Sequence, residues 1–233
     1  MFMDKHRPDV VGTQELTIEA IADMKAILPG YKWFGLGRYG GTDGEFAAIF
    51  YNANKLNCRA EDTFWLGKRP AVAGSRGLLA AYPRVCTWGV FREVGGDANL
   101  VVYNTHLDHL SPWARKNGLK QISRFVKKLN TGYPSILMGD FNARPQSRAI
   151  KAFHDTSIHY DQFFGNNFKA FLNEENRIGR THHGFTGKVV GQPIDYIFTT
   201  RDILVKQVDV DHNQYNGSYP SDHFPIVMQA TIL

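Results

Sequence analysis

Short apolar runs joined by turns too tight for a helix constrain this chain most. The clearest case is "VCTWGVFREV", then "GGDA", then "NLVVYNTHLD". Two runs rich in β-branched and aromatic residues flank a glycine-containing turn, which reads as a hairpin. "PDVVGTQE", "YKWFGLG", "EFAAIFYN", "LNCRAEDTFWL", "SILMGDFN", "PIDYIFTT", "ILVKQVDVD" and "PIVMQATIL" read as further strands. Helical spacing is found in two stretches. Ile18, Ile21, Met24 and Leu28 share a face until Pro29-Gly30 stops them. Ser111 and Pro112 make an N-cap and N1 pair, opening a helix with Leu119, Ile122, Val126 and Leu129 on one side. Strands outnumber helices, and many connections cannot hold a crossover helix. That predicts α/β layers with mostly antiparallel pairing rather than a Rossmann sheet.

The 233 residues show no repeat, low-complexity tract or Ser- or Pro-rich linker, so one domain over 1–233 is expected. No apolar run approaches the roughly 18 residues that span a membrane. The opening "MFMDKHRPDVVG" lacks the apolar segment of a signal peptide. Cys58 and Cys86 have no metal-site spacing and are expected to be buried free thiols. A net charge of +5 leans toward an anionic partner: a phosphate ester, nucleic acid or acidic lipid surface. The basic residues are scattered rather than blocked, so a solvated mixed-charge surface is the alternative.

Acidic, amide and imidazole groups recur at strand ends. Glu15 follows "VVGTQ", His106 and Asp108 follow "LVVYNT", and Asp140 and Asn142 follow "SILMG". Glu45 precedes "FAAIFY", Asp195 precedes "YIFTT", and Asp222-His223 precede "FPIVM". In an antiparallel sheet one rim collects the ends of ascending strands and the starts of descending ones. All six motifs can therefore meet on one rim. Carboxylates, an Asn and two His without thiolate suit Mg²⁺, or Mn²⁺, better than Zn²⁺. Such a set suits attack of water on a phosphate ester. Taken singly, each residue has an ordinary explanation: a strand-end polar group, a turn Asn, a satisfied core His. Those explanations would have to hold at six places together.

"GTQE", "NTHLDH", "MGDFNA", "PIDYIF" and "SDHFPI", in that order, resemble the endonuclease/exonuclease/phosphatase superfamily, in its bacterial branch related to nocturnin-type and deadenylase domains. The resemblance covers residues 9–231. It implies a four-layer α/β/β/α sandwich of two mostly antiparallel sheets flanked by helices, and use of Mg²⁺. It implies Glu15 as the metal carboxylate and Asp222 as a further carboxylate at the metal site. His106 resembles the His on the scissile phosphate, with Glu45 orienting it. Asp140 resembles the residue that positions or deprotonates water, and Asn142 the transition-state donor. Asp195 resembles the partner of the second catalytic His, His223. Asn104 in "NTHLD", Arg115 one turn into its helix, and Arg38 in "GLGRYGG" are candidate substrate contacts, with solvated arginines as the alternative for the last two. His109, His182 and His183 are expected on the surface, with Thr181 or His182 lining the cleft as the lesser reading.

The chain departs from the family pattern twice. The apolar first strand ending in Asn, of the kind "TYNIR", is expected to be missing. The loop over residues 67–82 carries Lys68, Arg69 and Arg76 where relatives carry acidic residues, which suits a more anionic substrate or is surface drift. Three readings follow. The first is a Mg²⁺-dependent hydrolase, expected to be monomeric and cytoplasmic. Its substrate would be a phosphorylated small molecule, nucleic acid or lipid headgroup. The second is a weakened anion- or nucleic-acid-binding module. The third is a nonspecific nucleic-acid binder acting through charge.

Overall fold

The structure is a computed structural model, and it describes residues 2–129, 131–155 and 179–233. In chain order it contains α1 (Phe2–His6), β1 (Val10–Gly12), α2 (Ile18–Ile27), β2 (Tyr31–Phe34), β3 (Ile49–Asn52), β4 (Leu56–Trp65), β5 (Val85–Glu93) and β6 (Asn99–His106). Then follow α3 (Pro112–Leu129), β7 (Ser135–Asp140), α4 (Arg148–Asp155), β8 (Asp195–Thr199), β9 (Ile203–Val210) and β10 (Ile226–Ile232). The predicted Ser111 cap holds, its Oγ accepting from Ala114 N at 3.1 Å, and Thr17 caps α2, accepting from Ala20 N at 3.4 Å.

Five strands form one sheet in the order β4-β5-β6-β7-β8. Its pairs are antiparallel except β6–β7, which is parallel. That exception has a visible cause, because α3 is the crossover between β6 and β7. A second sheet has the order β1-β3-β2, and β9 pairs with β10 alone. The second sheet of the expected sandwich is therefore in two pieces among the described residues. The short helix α1 ties them, since Lys5 and His6 both bond Asp211 just beyond β9.

The layers follow from alternation along strands. Phe50 joins Ile21, Leu28 and Phe46 under α2, with Trp33 and Met24 packed against them. Its neighbours Ile49 and Tyr51 point the other way, meeting Phe34, Phe91 and Val102 between the sheets. On β6, Val101 and Tyr103 face the opposite side to Val102. They join Leu137, Phe141, Tyr196 and Phe198 with Leu119 and Ile122 of α3. The order is thus helix, sheet, sheet, helix. Cys86 is fully buried and Cys58 half-buried, and neither is bonded to the other.

Candidate active site

Strand register builds the centre of the site. His106 lies opposite Asp140 across the parallel β6–β7 pair, and Asp140 lies opposite Asp195 across β7–β8. Residues paired across a ladder project to the same face, so three strand-end groups form one row. Gly139 makes the close approach possible. Its φ is +143°, and a Cβ there would sit 1.9 Å from the Thr105 carbonyl oxygen. Asn142 follows in left-handed backbone at φ 48°. Its N–H donates to Asp140 Oδ1 at 2.7 Å, a local bond that offsets the conformational cost. Glu15 is also left-handed, at φ 62°, where the chain turns from β1 toward α2.

The loop before β10 completes the row. Phe224 N donates to the Thr181 carbonyl, and His183 N to the Asp222 carbonyl. This pairing sets His182 beside Asp222, with Nε2 3.6 Å from its Oδ2. His223 Nδ1 reaches Asp195 Oδ2 at 2.9 Å. Because a carboxylate only accepts, Nδ1 carries the proton. Burial pulls the His223 pKa down, but that bond and the charges of Asp195, Asp140 and Asp222 outweigh it and raise it to about 9. Burial, then the Asp195 charge, pushes Asp140 well above the usual carboxylate range.

His106 has the opposite fate. Burial, and after it the charge of Arg84, holds its pKa down to about 2. The Asn142 amide nitrogen donates to the Leu107 carbonyl at 3.1 Å and to His106 Nε2 at 3.0 Å. An amide NH₂ only donates, so Nε2 is a lone-pair acceptor. That lone pair faces Asp140 Oδ2 at 3.4 Å and Glu15 Oε1 at 3.9 Å. The two carboxylates beside it bring oxygen ligands of the kind that a cation site uses, while the Asn142 amide occupies the Nε2 lone pair. Glu15, Glu45 and His106 each offer a ligand atom within 4.8 Å of the others, as do Asp140, Asp195 and His223, and His182, Asp222 and His223. The residues present therefore fit a divalent cation.

A cleft of about 330 Å³ joins these groups, lined by Glu15, Glu45, His106, Asp140, Asn142, Asp222 and His223 together with Arg38, Tyr82, Arg84, His109, His182 and Ile194. Asp195 stands behind His223 rather than in the lining. Of the expected substrate contacts only Arg38 is there.

Asn104 is corrected. It is fully buried, donates to the Thr13 and Ala48 carbonyls and accepts from Gln14 Nε2 at 2.7 Å. Its hydrogen-bonding capacity is spent joining β6 to the neighbouring sheet. Arg115 is also corrected, because its Nη1 donates to the Asp108 carbonyl at 2.9 Å and it does not line the cleft. Glu45 accepts from Arg38 Nη1 at 2.8 Å rather than from His106. His183 is not on the surface: it is 2% exposed and stacked on Phe224 at 3.8 Å. Thr181 is buried and accepts from Ile194 N and Asp195 N, so it positions Asp195.

His109, His182, Tyr82 and Arg84 are site residues beyond the main sequence reading. Only the doubled His of "THHGF" hinted at one of them, His182.

A sequence profile described as the endonuclease/exonuclease/phosphatase family matches residues 2–223. No curated protein matches the chain. Among solved structures, a Bacteroides thetaiotaomicron mannosyl-6-phosphatase superposes with a TM-score of 0.87 at 29% identity, over 99% of this chain and 88% of that one. The human nocturnin catalytic domain with a bound sulfate anion gives 0.72 at 17%, over 97% and 82%. Zebrafish (D. rerio) TDP2 with a single-strand DNA product gives 0.71 at 17%, over 99% and 88%. The last two share the fold. With a family match over nearly its whole length and five family motifs gathered at one sheet rim, the chain belongs to the endonuclease/exonuclease/phosphatase family.

Proposed function

We propose that the protein is a divalent-cation-dependent hydrolase of phosphate esters, using Mg²⁺ or Mn²⁺, and that it works as a single monomeric domain in the cytoplasm. The observation that carries this reading is the register row His106–Asp140–Asp195 with His223 paired to its end. Glu15 and Asp222 would hold the cation. When bound, the cation would polarise the phosphoryl oxygens and offset their charge.

Asp140 orients the attacking water and accepts its proton, a task suited to a carboxyl raised toward neutrality. His223, kept protonated by Asp195, donates to the charge that develops on phosphorus-bound or leaving oxygen. Asn142, whose amide nitrogen bonds the Leu107 carbonyl and His106 Nε2, would supply a second donor by turning its second N–H from His106 to the substrate oxygen. His106 is a neutral acceptor on the cation side, and Glu45 holds Arg38 in the cleft. The mannosyl-6-phosphatase neighbour favours a phosphorylated sugar or similar small molecule ahead of nucleic acid or a lipid headgroup.

The test is release of nitrophenol from mono- and bis-nitrophenyl phosphate with Mg²⁺, compared with Asp140→Ala and His223→Ala. Equal turnover in all three proteins would exclude these roles. A weakened anion-binding module is the second reading, favoured by the division between β1 and β10, each of which has one paired neighbour. It predicts binding of phosphate esters without turnover.

A further inference from the structure

Arg84 has an environment that no step above requires. It opens the segment leading into β5, is 8% exposed and lines the cleft. Buried arginines are ordinarily paired with carboxylates. Among the described residues none makes a salt bridge with it. Its Nη2 meets His109 Nδ1 at 3.2 Å, and its Nε has no partner. A guanidinium only donates, so His109 accepts and keeps its own proton on Nε2.

The surroundings extend the pattern. The His109 ring stacks on Tyr82, with centroids 5.9 Å apart and planes at 19°. The other neighbour of Tyr82 is the Arg38 guanidinium, 4.5 Å from the ring centroid. Arg38 also has a buried Nε without a partner. Two guanidinium groups, each with an unmet donor, are thus fixed on one side of the cleft by an aromatic pair. Leaving a charged donor unmet is costly, and an oxyanion is the ligand that meets a guanidinium fork.

We infer that Arg84, assisted by Arg38, His109 and Tyr82, forms an oxyanion subsite that receives the terminal phosphoryl group of a phosphomonoester without needing the cation. The choice of a monoester rests on the hydrolase reading; the anion site itself does not. A monoester presents three terminal oxygens and two charges, a diester two oxygens and one charge. The acceptors Glu15, Asp140 and His106 Nε2 offer none of the donors that those oxygens need, and Arg84 does.

Binding of inorganic phosphate, followed by titration calorimetry in excess chelator, tests the subsite. The wild-type protein is expected to bind. Arg84→Gln is expected to weaken binding roughly ten- to a hundredfold. Arg84→Lys, which keeps the charge and is the safer variant for folding, is expected to weaken it by about tenfold. Absence of metal-free phosphate binding by the wild type, or unchanged binding in both Arg84 variants, would overturn the subsite.

A kinetic arm tests the substrate class. In Arg84→Lys with Mg²⁺, kcat/KM for nitrophenyl phosphate should fall several-fold further than for the bis-ester. Equal falls would overturn the monoester assignment. Should the wild type hydrolyse neither ester, the hydrolase reading fails, and the calorimetry still decides the subsite.

Discussion

Two of the cleft's histidines, His106 and His223, come from the same residue type and reach opposite states. Burial and the nearby Arg84 charge keep His106 neutral, with its pKa at about 2. For His223 the Asp195 bond and three carboxylate charges overcome burial and lift the pKa to about 9. The lesson is electrostatic: which charges surround a ring decides whether it accepts or donates, and the sequence spacing of neither His reveals it. One side of the cleft is cationic, built from Arg38, Arg84 and their aromatic spacers. The other is a carboxylate row ending in an imidazolium.

Breaking the carboxylate side should have the largest effect. Asp140→Asn is expected to lower kcat on nitrophenyl esters by about 10²–10⁴-fold, because it removes the proton acceptor. Asp195→Asn should cost about as much at alkaline pH, since His223 loses the partner that holds its proton. The alkaline limb of the pH–rate profile should then move to lower pH. An unmoved limb would show that Asp195 does not set the His223 charge.

Direct titration sharpens the contrast. In NMR spectra of the metal-free protein, His223 should lose its proton near pH 9. His106 should show no protonation around ~6.5, where a free imidazole titrates. The same difference acts on stability, measured by urea unfolding across pH. The folded pKa of His223 is raised. Its contribution is therefore complete below the unfolded value of about 6.5 and lost as pH rises toward 9. The folded pKa of His106 is depressed, so the unfolded chain takes up a proton that the fold refuses. Stability then falls as pH drops below about 6.5.

The smallest expected effect lies outside both regions. Burial pushes the Asp211 carboxyl up, but hydrogen bonds from His6, Tyr215 and Asn213 outweigh it and hold the pKa well below the usual range. Its contribution is present above about pH 3.8 and lost on acidification below that. Asp211→Asn should cost roughly 1–3 kcal/mol in urea unfolding by loosening α1 from the β9–β10 hairpin. Neither His106 nor His223 should change its titration.

Much of the frame was legible because short-range chemistry wrote it. The hairpin β5–β6, the Ser111–Pro112 cap and the α2 stop at Pro29-Gly30 each depend on neighbours in sequence. The strand-end positions of Glu15, His106, Asp140, Asp195 and His223 were readable for the same reason. Asn104 was misread because its motif neighbours are functional, whereas its own side chain points at Thr13 and Ala48, far away in sequence. His183 was misread because a loop tripeptide carries no sign that Phe224 will cover its ring. Arg84, Tyr82 and His109 were missed because no motif joins them. Their association is a stack of rings and guanidinium groups from separate elements.

The sequence by itself determined which segments are strands, the helices α2 and α3, and which strand ends carry the acidic and imidazole groups. Hydrophobic period and turn chemistry act over a few residues, and they suffice for that. Only the tertiary structure decided the register that puts His106, Asp140 and Asp195 in one row, the opposite charges of the two histidines, and the cationic side around Arg84. Those properties come from distances between residues far apart along the chain, and from how much water packing leaves between them.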